Sequence, residues 1–496
     1  MKLYLFGIGG SGARVVKSFI HLLSSGVNIG DCTEIVPFII DTDLKNGDSN
    51  HIVDLVLAYN QIQRSLYNED QNLQKDAQFF KYKIQVPPKL QEFKNIAREG
   101  VTFKQFLNLQ DEIQNKLIES LYDNSNTESS ETELNLDLAV GFKGNPNIGS
   151  VVFNLLNKNP VFADFKSRCT AKDRIFIISS IFGGNGASGF PAIIKMCKGT
   201  GNLELDKAKK GALSLFPYYD VVGSDSKPIN SKLFLSKAKS ALSFYNEDMD
   251  ILNLDAHYFI GDKDVKAKYK YSEGGSYKEN GSIIDQMNPA NIIELIGATA
   301  IVDFLNKDDA NFKNNKLAFG MDMNESRNTD KAINLDYFEK FIEDDGNNLF
   351  KERVLSHFIK FNFLYKKILE IEYDRHFMNL KHVSNASKVI IDLLRDYYKY
   401  NYSIWLDEIR KDEVLVENST EKRVENKRYL DVFDFNLITN NFNGFVKNKS
   451  SDYNLEAQYK TLTDNWEFYK NDNVNYTFIK VMEQIADDYY KSLNKN

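Results

Sequence analysis

The residues whose types and spacing most plainly imply chemistry are glycines. Gly7-Ile8-Gly9-Gly10-Ser11-Gly12 follows the short apolar run 2–6 and precedes Ala13 to Ile20, whose apolar residues recur at helical spacing. Glycines at such a turn let backbone amides and a helix N-terminus approach a phosphate closely. The string also fits the dinucleotide fingerprint GxGxxG, whose acidic ribose ligand lies ~20 residues further on. Asp41 comes later than that. A tight turn without a ligand would give the same string. Two further loops bear on the choice. Gly141-Phe142-Lys143-Gly144-Asn145-Pro146-Asn147-Ile148-Gly149 precedes the apolar stretch 151–156, and Gly183-Gly184-Asn185-Gly186-Ala187-Ser188-Gly189-Phe190-Pro191 follows another apolar run. An oxidoreductase using NAD or FAD needs one such loop; it would account for 7–12 and Asp41 but leave the other two without a role. Three loops that each feed a helix predict amides converging on a triphosphate from several sides.

The elements that must position these loops read as an α/β sheet. Runs at 2–6, 35–40, 174–180, 211–216 and 257–260 predict buried strands, the second ending in Asp41-Thr42-Asp43. Strand, glycine turn, helix and strand open a doubly wound, Rossmann-like sheet. Residues 50–122 are polar with apolar positions at helical intervals, predicting a helical insertion at about 45–135 that includes an acidic surface loop at 123–131. Helices are expected at 191–198 and about 231–246, and a loop at 262–286. Asn288-Pro289 predicts a helix start, with Asn288 as cap, and a long helix from Ala290 to Asn306. From about 325 the stretches 347–372 and 386–410 are aromatic-rich with helical periodicity. The expected division is an α/β domain over 1–320 and a mainly α-helical C-terminal domain over 325–496.

At 496 residues the chain exceeds what one core holds, since single cores stop growing near ~250–300 residues. Sixty-nine acidic against 62 basic residues give a net charge of -7, which provides no global attraction to nucleic acid, and none is expected as a partner. Three separated cysteines (Cys32, Cys169, Cys197) and six scattered histidines form no disulfide framework or sequence-local metal site. The N-terminal apolar run reaches Gly7 too soon for a signal peptide, and no run of 18 apolar residues is present. A cytoplasmic protein without a transmembrane segment is expected.

In order and spacing, the three loops resemble those of the tubulin/FtsZ superfamily of GTP-binding proteins. Residues 7–12 are similar to its GxGGxG loop, Asp41-Thr42-Asp43 to its Asn-Thr-Asp, 141–149 to its GxGxNPxIG and 183–191 to its GGTGTGAAP signature. The resemblance covers about 1–315. It implies nucleotide contacts from Gly7, Gly9, Gly10, Ser11, Gly12, Asp41, Asp43, Gly144, Asn145, Gly183, Gly184, Asn185, Gly186, Ala187, Ser188 and Gly189. Asn185 and Ala187 stand where the family usually has threonines, Ser188 offers a hydroxyl one position later, and Arg14 falls in the region of a base-contacting asparagine. Phe216-Pro217-Tyr218-Tyr219-Asp220 is similar to a segment whose acid holds the ribose, which makes Asp220 the candidate. Asn288 and Asn291 are candidates for the base edge; capping and a solvated helix position are their alternatives. Lys143 reads either as an extra cation near phosphate or as a solvated loop lysine.

The resemblance also implies GTP or GDP as ligand, Mg²⁺ as cofactor, and head-to-tail assembly into a homo-oligomer or filament. The family loop NxDxxDxR, which acts on a neighbouring subunit's nucleotide, is similar to 306–313. Asp308 matches its first acid, Asn311 replaces the second and Lys313 the arginine, so Asp308 and Asn311 are the catalytic candidates. The leading expectation is a slow GTPase activated by assembly. The alternative is a non-hydrolysing, nucleotide-dependent scaffold or switch whose C-terminal half binds a protein partner, as in a defence or membrane-associated system.

Overall fold

Near-continuous apolar runs are what strands covered on both faces require, and Lys2–Ile8 (β1) and Glu34–Ile40 (β2) are buried along almost their whole length. The computed structural model describes residues 1–93, 96, 98–122, 133–198, 201–223, 233–261, 267–271, 276–279, 282–285, 287–312, 317–322, 354, 356–365, 385–411, 413–418, 423–428 and 468–493. Lys83–Ile84 (β3), Arg174–Ser180 (β4) and Lys209–Leu215 (β5) extend the sheet, followed after Tyr219–Gly223 (β6) by Ala256–Gly261 (β7). Beyond Ala267–Tyr271 (β8), Ser276–Glu279 (β9) and Ser282–Asp285 (β10), Leu317–Asp322 (β11) completes it. The order is β11-β7-β5-β4-β1-β2-β3, every pairing parallel. The chain thus winds outward in one direction after β1 and in the other after β4. The crevice at the carboxyl ends of β1 and β4 is the topological switch point, where open α/β sheets bind ligands.

Helices cover both faces. In chain order they are α1 (Gly9–Ser24), α2 (Gly47–Tyr67), α3 (Gln71–Asp76), α4 (Phe103–Leu107), α5 (Glu112–Tyr122), α6 (Pro146–Phe153), α7 (Pro160–Arg168), α8 (Gly184–Met196), α9 (Leu203–Lys207), α10 (Phe234–Glu247), α11 (Met249–Leu252) and α12 (Ile292–Asn306). The last is buried from Ile292 to Leu305, as expected of a helix that is apolar nearly all round. It reaches that depth through Gly297, where a Cβ would stand 2.8 Å from Leu213 and 3.2 Å from Val15.

Several elements differ from the sequence expectation. The region expected to be a helical insertion begins with α2, which buries Ile52, Leu55, Val56 and Tyr59, and then supplies edge strand β3; its first part is a unit of the sheet itself. Helix α8 starts inside the glycine cluster at Gly184 rather than at 191, because close packing against β4 and α6 overrides the low helix propensity of glycine. The stretch expected to be a loop at 262–286 contains β8, which pairs with β6, and the β9–β10 hairpin. Helix α12 starts after Asn291 rather than at Ala290: Asn291 accepts from the Ile293 amide and Glu294 reaches back to the Asn291 amide, a capping box that Asn288 does not form. The expected loop 123–131 and much of the expected helical region beyond 325 lie outside the described residues.

The described C-terminal helices are Ser356–Phe363, Asn385–Tyr397, Ser403–Lys411 and Val474–Leu493, the second and third joined by a π-helical turn at Tyr398–Tyr402; a hairpin of Glu413–Asn418 with Arg423–Arg428 accompanies them. They lie against α1 and α2. Trp405 donates to Ser18 at 3.0 Å, and Glu483 accepts the Gln78 and Phe79 amides at 2.7 and 3.1 Å. One apolar cluster runs from the sheet into these helices. Among the described residues no helix is long and apolar enough to cross a membrane.

Candidate functional site

The three glycine loops meet at the switch point. Gly9, Gly10 and Ser11, Gly141 to Gly144, and Gly183 to Gly186 line one cleft that is partly open to solvent. Gly9 leaves β1 at φ +68°, a backbone that favours glycine. Helices α1, α6 and α8 begin here, and none has a side-chain cap at its N-terminus. Asn46, Asp70, Thr102, Asn159, Asn202 and Asn291 cap α2, α3, α4, α7, α9 and α12, while α10, which follows no glycine loop, also starts without a side-chain cap at Leu233. Each helix start carries amides with no intrahelical partner and the positive end of a dipole. Three uncapped starts behind glycine loops at one cleft have the chemistry to receive an anion carrying several charges.

Not every predicted glycine faces that cleft. Gly7 and Gly12 press α1 onto β1, since a Cβ on Gly12 would stand 2.8 Å from the Gly7 carbonyl carbon. Ser188 donates to the Gly184 carbonyl at 2.6 Å and meets Gly149, while Gly189 packs on Ile8 and Phe153. Ala187 is buried outside the lining, and Asn145 is the residue before α6. These positions hold α6, α8 and β1 at the spacing the cleft needs. Asn185 does line it, though its amide turns to the β2 loop, donating to Asp41 at 2.6 Å and accepting from Thr42 at 2.7 Å.

Asp41 and Asp43 stand on the acidic side of the cleft. Asp41 accepts from Ser49 at 2.9 Å and from the Asp43 amide at 3.0 Å; Asp43 accepts the Lys45 amide at 3.1 Å, and its Oδ2 is buried with no hydrogen-bond partner. Burial, reinforced by the neighbouring Asp43 carboxylate, raises the Asp41 carboxyl to about 7, and burial raises Asp43 to about 6. No group of three or more metal-ligating side chains occurs among the described residues. Two carboxylates, one with an unsatisfied oxygen, fit a Mg²⁺ that takes its remaining ligands from phosphates and water.

Across the cleft, Arg14 forms a network that sequence reading did not anticipate. Its guanidinium donates to Glu294 at 2.5 Å, Asp48 at 2.7 Å and Tyr218 at 3.1 Å, and lies 4.4 Å from the Tyr269 ring centroid. Burial alone would lower its pKa; Tyr218, Glu294 and Asp48 outweigh burial and hold it well above the ordinary value. Tyr269 stacks on Tyr219 with centroids 4.4 Å apart. Asn288 lines the cleft and donates its backbone amide to Asp48 at 3.0 Å. Asn291 is occupied in capping α12. Asp220 is exposed and outside the lining, because alternation along β6 turns Tyr219 and Val221 inward instead. That period of two was the available signal for Tyr219 and, in Lys268-Tyr269-Lys270-Tyr271, for Tyr269; Asp48 had none.

Asp308 is exposed beyond the far end of α12, at the opposite pole from the cleft. There Arg174, the first residue of β4, donates to the Lys307 carbonyl at 2.5 Å and to Asp309 at 3.2 Å. Asn311 belongs to the short turn Asp309–Phe312 that follows. The structure therefore separates Asp308 and Asn311 from the loops of their own chain.

No protein-family profile matches the chain, and no curated protein matches it. Among solved structures it is similar to "CetZ2 from Haloferax volcanii - GTPgS bound protofilament", with 15% sequence identity and a TM-score of 0.25. That match covers 53% of this chain and 49% of the other, so this chain spans about half that protein's length. At such a TM-score the likeness assigns neither fold family nor ligand, and the reading of the cleft rests on its geometry.

Proposed function

We propose that this protein is a tubulin/FtsZ-like GTP-binding protein whose cleft holds a guanine nucleotide. The observation that carries the proposal is the convergence of three uncapped helix starts, each preceded by glycines, on one switch-point cleft. The phosphates lie against loops 9–11, 141–144 and 183–186, and the nucleoside lies towards Arg14, Tyr219, Tyr269 and Asn288. Asp41 and Asp43 would hold Mg²⁺, which supplies neutralisation of phosphate charge.

Hydrolysis, on this reading, requires a second subunit. Helix α12 has 15 residues, about 22 Å at ~1.5 Å rise per residue, so Asp308 cannot serve its own cleft. Head-to-tail stacking would bring one subunit's exposed Asp308 to the next subunit's phosphates, where a carboxylate can orient the attacking water. Such a contact does not close on itself and yields filaments. Turnover per subunit measured over a range of protein concentrations tests this: a rate that rises with concentration is expected, and a constant rate rejects it.

A second reading, a nucleotide-dependent switch, has its own support. Helix α1 carries Gly9 to Ser11 at one end and receives the C-terminal helices along its length, through Trp405 on Ser18 and Tyr397 on His21 at 3.2 Å. Glu408 accepts the Ala290 amide at 2.9 Å, two residues from cleft-lining Asn288, and stands 3.6 Å from Lys17 of α1. A change in the cleft is thereby passed to the C-terminal helices, which bind a protein partner on this reading. Turnover absent at every concentration, with binding intact, would favour it.

A further inference from the structure

We propose that the Asp48 carboxylate reads the base of the bound nucleotide, accepting hydrogen bonds from N1–H and the 2-amino group of guanine and so rejecting adenine. The inference rests on the nucleotide reading of the cleft and names the group that selects among nucleotides there. Place is the first observation. Asp48 lines the cleft from the first turn of α2, beside Arg14 and Asn288. A carboxylate repels phosphate, so the part of a nucleotide it can face is one that carries N–H groups. The Arg14 guanidinium that pairs with Asp48 lies 4.4 Å from the Tyr269 ring centroid, and Tyr269 stacks on Tyr219. Aromatic rings of this kind are surfaces on which bases stack.

The second observation is acceptor capacity. Asp48 Oδ2 accepts from Arg14 at 2.7 Å and, over a long 3.4 Å, from the Asn288 side-chain amide; Oδ1 accepts the Asn288 backbone amide at 3.0 Å. An ionised carboxylate has about four lone-pair sites and donates nothing. One site on Oδ1 therefore remains, and the long bond leaves a second on Oδ2 to a better-placed donor. Arg14 is fixed on its other side by Glu294 at 2.5 Å, which holds the carboxylate in one orientation. The third is the chemistry of base edges. Guanine carries two adjacent donors, N1–H and the 2-amino group, which match the two oxygens of a carboxylate. Adenine has an acceptor at N1, and setting it against an acceptor-only group leaves both unpaired.

Titration of the full, nucleotide-stripped chain in Mg²⁺ buffer with GTP, inosine triphosphate, ATP and xanthosine triphosphate tests the assignment. Inosine triphosphate lacks only the 2-amino group, so the wild type should bind it roughly tenfold or more weakly than GTP, the loss of one hydrogen bond to a charged acceptor. ATP should bind more weakly still. Asp48→Asn replaces one acceptor by a donor that suits the 2-carbonyl of xanthine. The variant should lose roughly tenfold or more in GTP affinity and bind xanthosine triphosphate more tightly than the wild type does, a gain that mere loosening of the cleft does not produce. Equal wild-type affinity for GTP and inosine triphosphate, or ATP bound as tightly as GTP, would overturn the assignment while leaving a nucleotide in the cleft; neither comparison needs a variant to fold. A folded variant that loses GTP without gaining xanthosine triphosphate would overturn it too. A wild type that binds none of these nucleotides would overturn the cleft reading, and this assignment with it.

Discussion

The chemistry of single residues at the cleft was legible where residue type alone dictates backbone behaviour, and illegible where partners are distant in sequence. Gly9, Gly10, Gly184 and Gly186 declare themselves because only glycine leaves the amides open at such turns. Arg14 meets Asp48 34 positions and Glu294 280 positions away, and no local pattern connects the three. Asp41 and Asp43 were legible as acids, but their burial was not. Their carboxyls stand at about 7 and about 6 in the folded protein, against an ordinary 3.8. A carboxyl raised in the folded state contributes stability that is full below its unfolded value and lost as pH rises through its folded value. For the nucleotide-free protein, Asp41→Asn should therefore match the wild type in stability near pH 4 and exceed it at pH 8. The difference should open mainly between those limits. Urea unfolding of both proteins at a series of pH values measures it, and a difference independent of pH would mean that water or a bound cation already relieves the pair.

At the scale of elements, the strands with continuous apolar runs were readable because both faces of the parallel sheet are covered. Strand β8 was not, although Lys268-Tyr269-Lys270-Tyr271 alternates with period two; the glycine, serine and lysine content around it outweighed that signal. Helix Val474–Leu493 falls in the half expected to be mainly helical, but neither its extent nor its docking on the α2–β3 region was read from the sequence. Glu483 carries that docking: it is buried, accepts two backbone amides and pairs with Lys480 at 3.1 Å. Glu483→Ala would leave the amides of Gln78 and Phe79 buried without a partner, at about 1–3 kcal/mol each. Faster amide hydrogen exchange in 474–493, with protection of β1 and β4 retained, is the expected outcome. Unchanged exchange would mean that the apolar face of Phe478, Val481, Met482 and Ile485 suffices alone.

At the scale of the whole molecule, the glycine loops occupy one end of the sheet and Asp308 the other. On the proposed reading, that separation predicts assembly-dependent turnover. Asp308→Ala should lower the concentration-dependent GTPase rate and leave GTP affinity unchanged if, as proposed, the residue serves the neighbour's nucleotide. Asn311→Asp should raise the rate by restoring a second acid. If neither changes turnover, the turn 307–312 is a structural stop for α12, held by Arg174. Beneath every one of these expectations lies guanine nucleotide binding in the switch-point cleft. Calorimetric titration of nucleotide-stripped protein with GTP in Mg²⁺ buffer, alongside ATP and NAD, tests it most directly. One GTP per chain, not displaced by ATP or NAD in large excess, is the predicted result; no heat of GTP binding, or preferential binding of NAD or ATP, would contradict it.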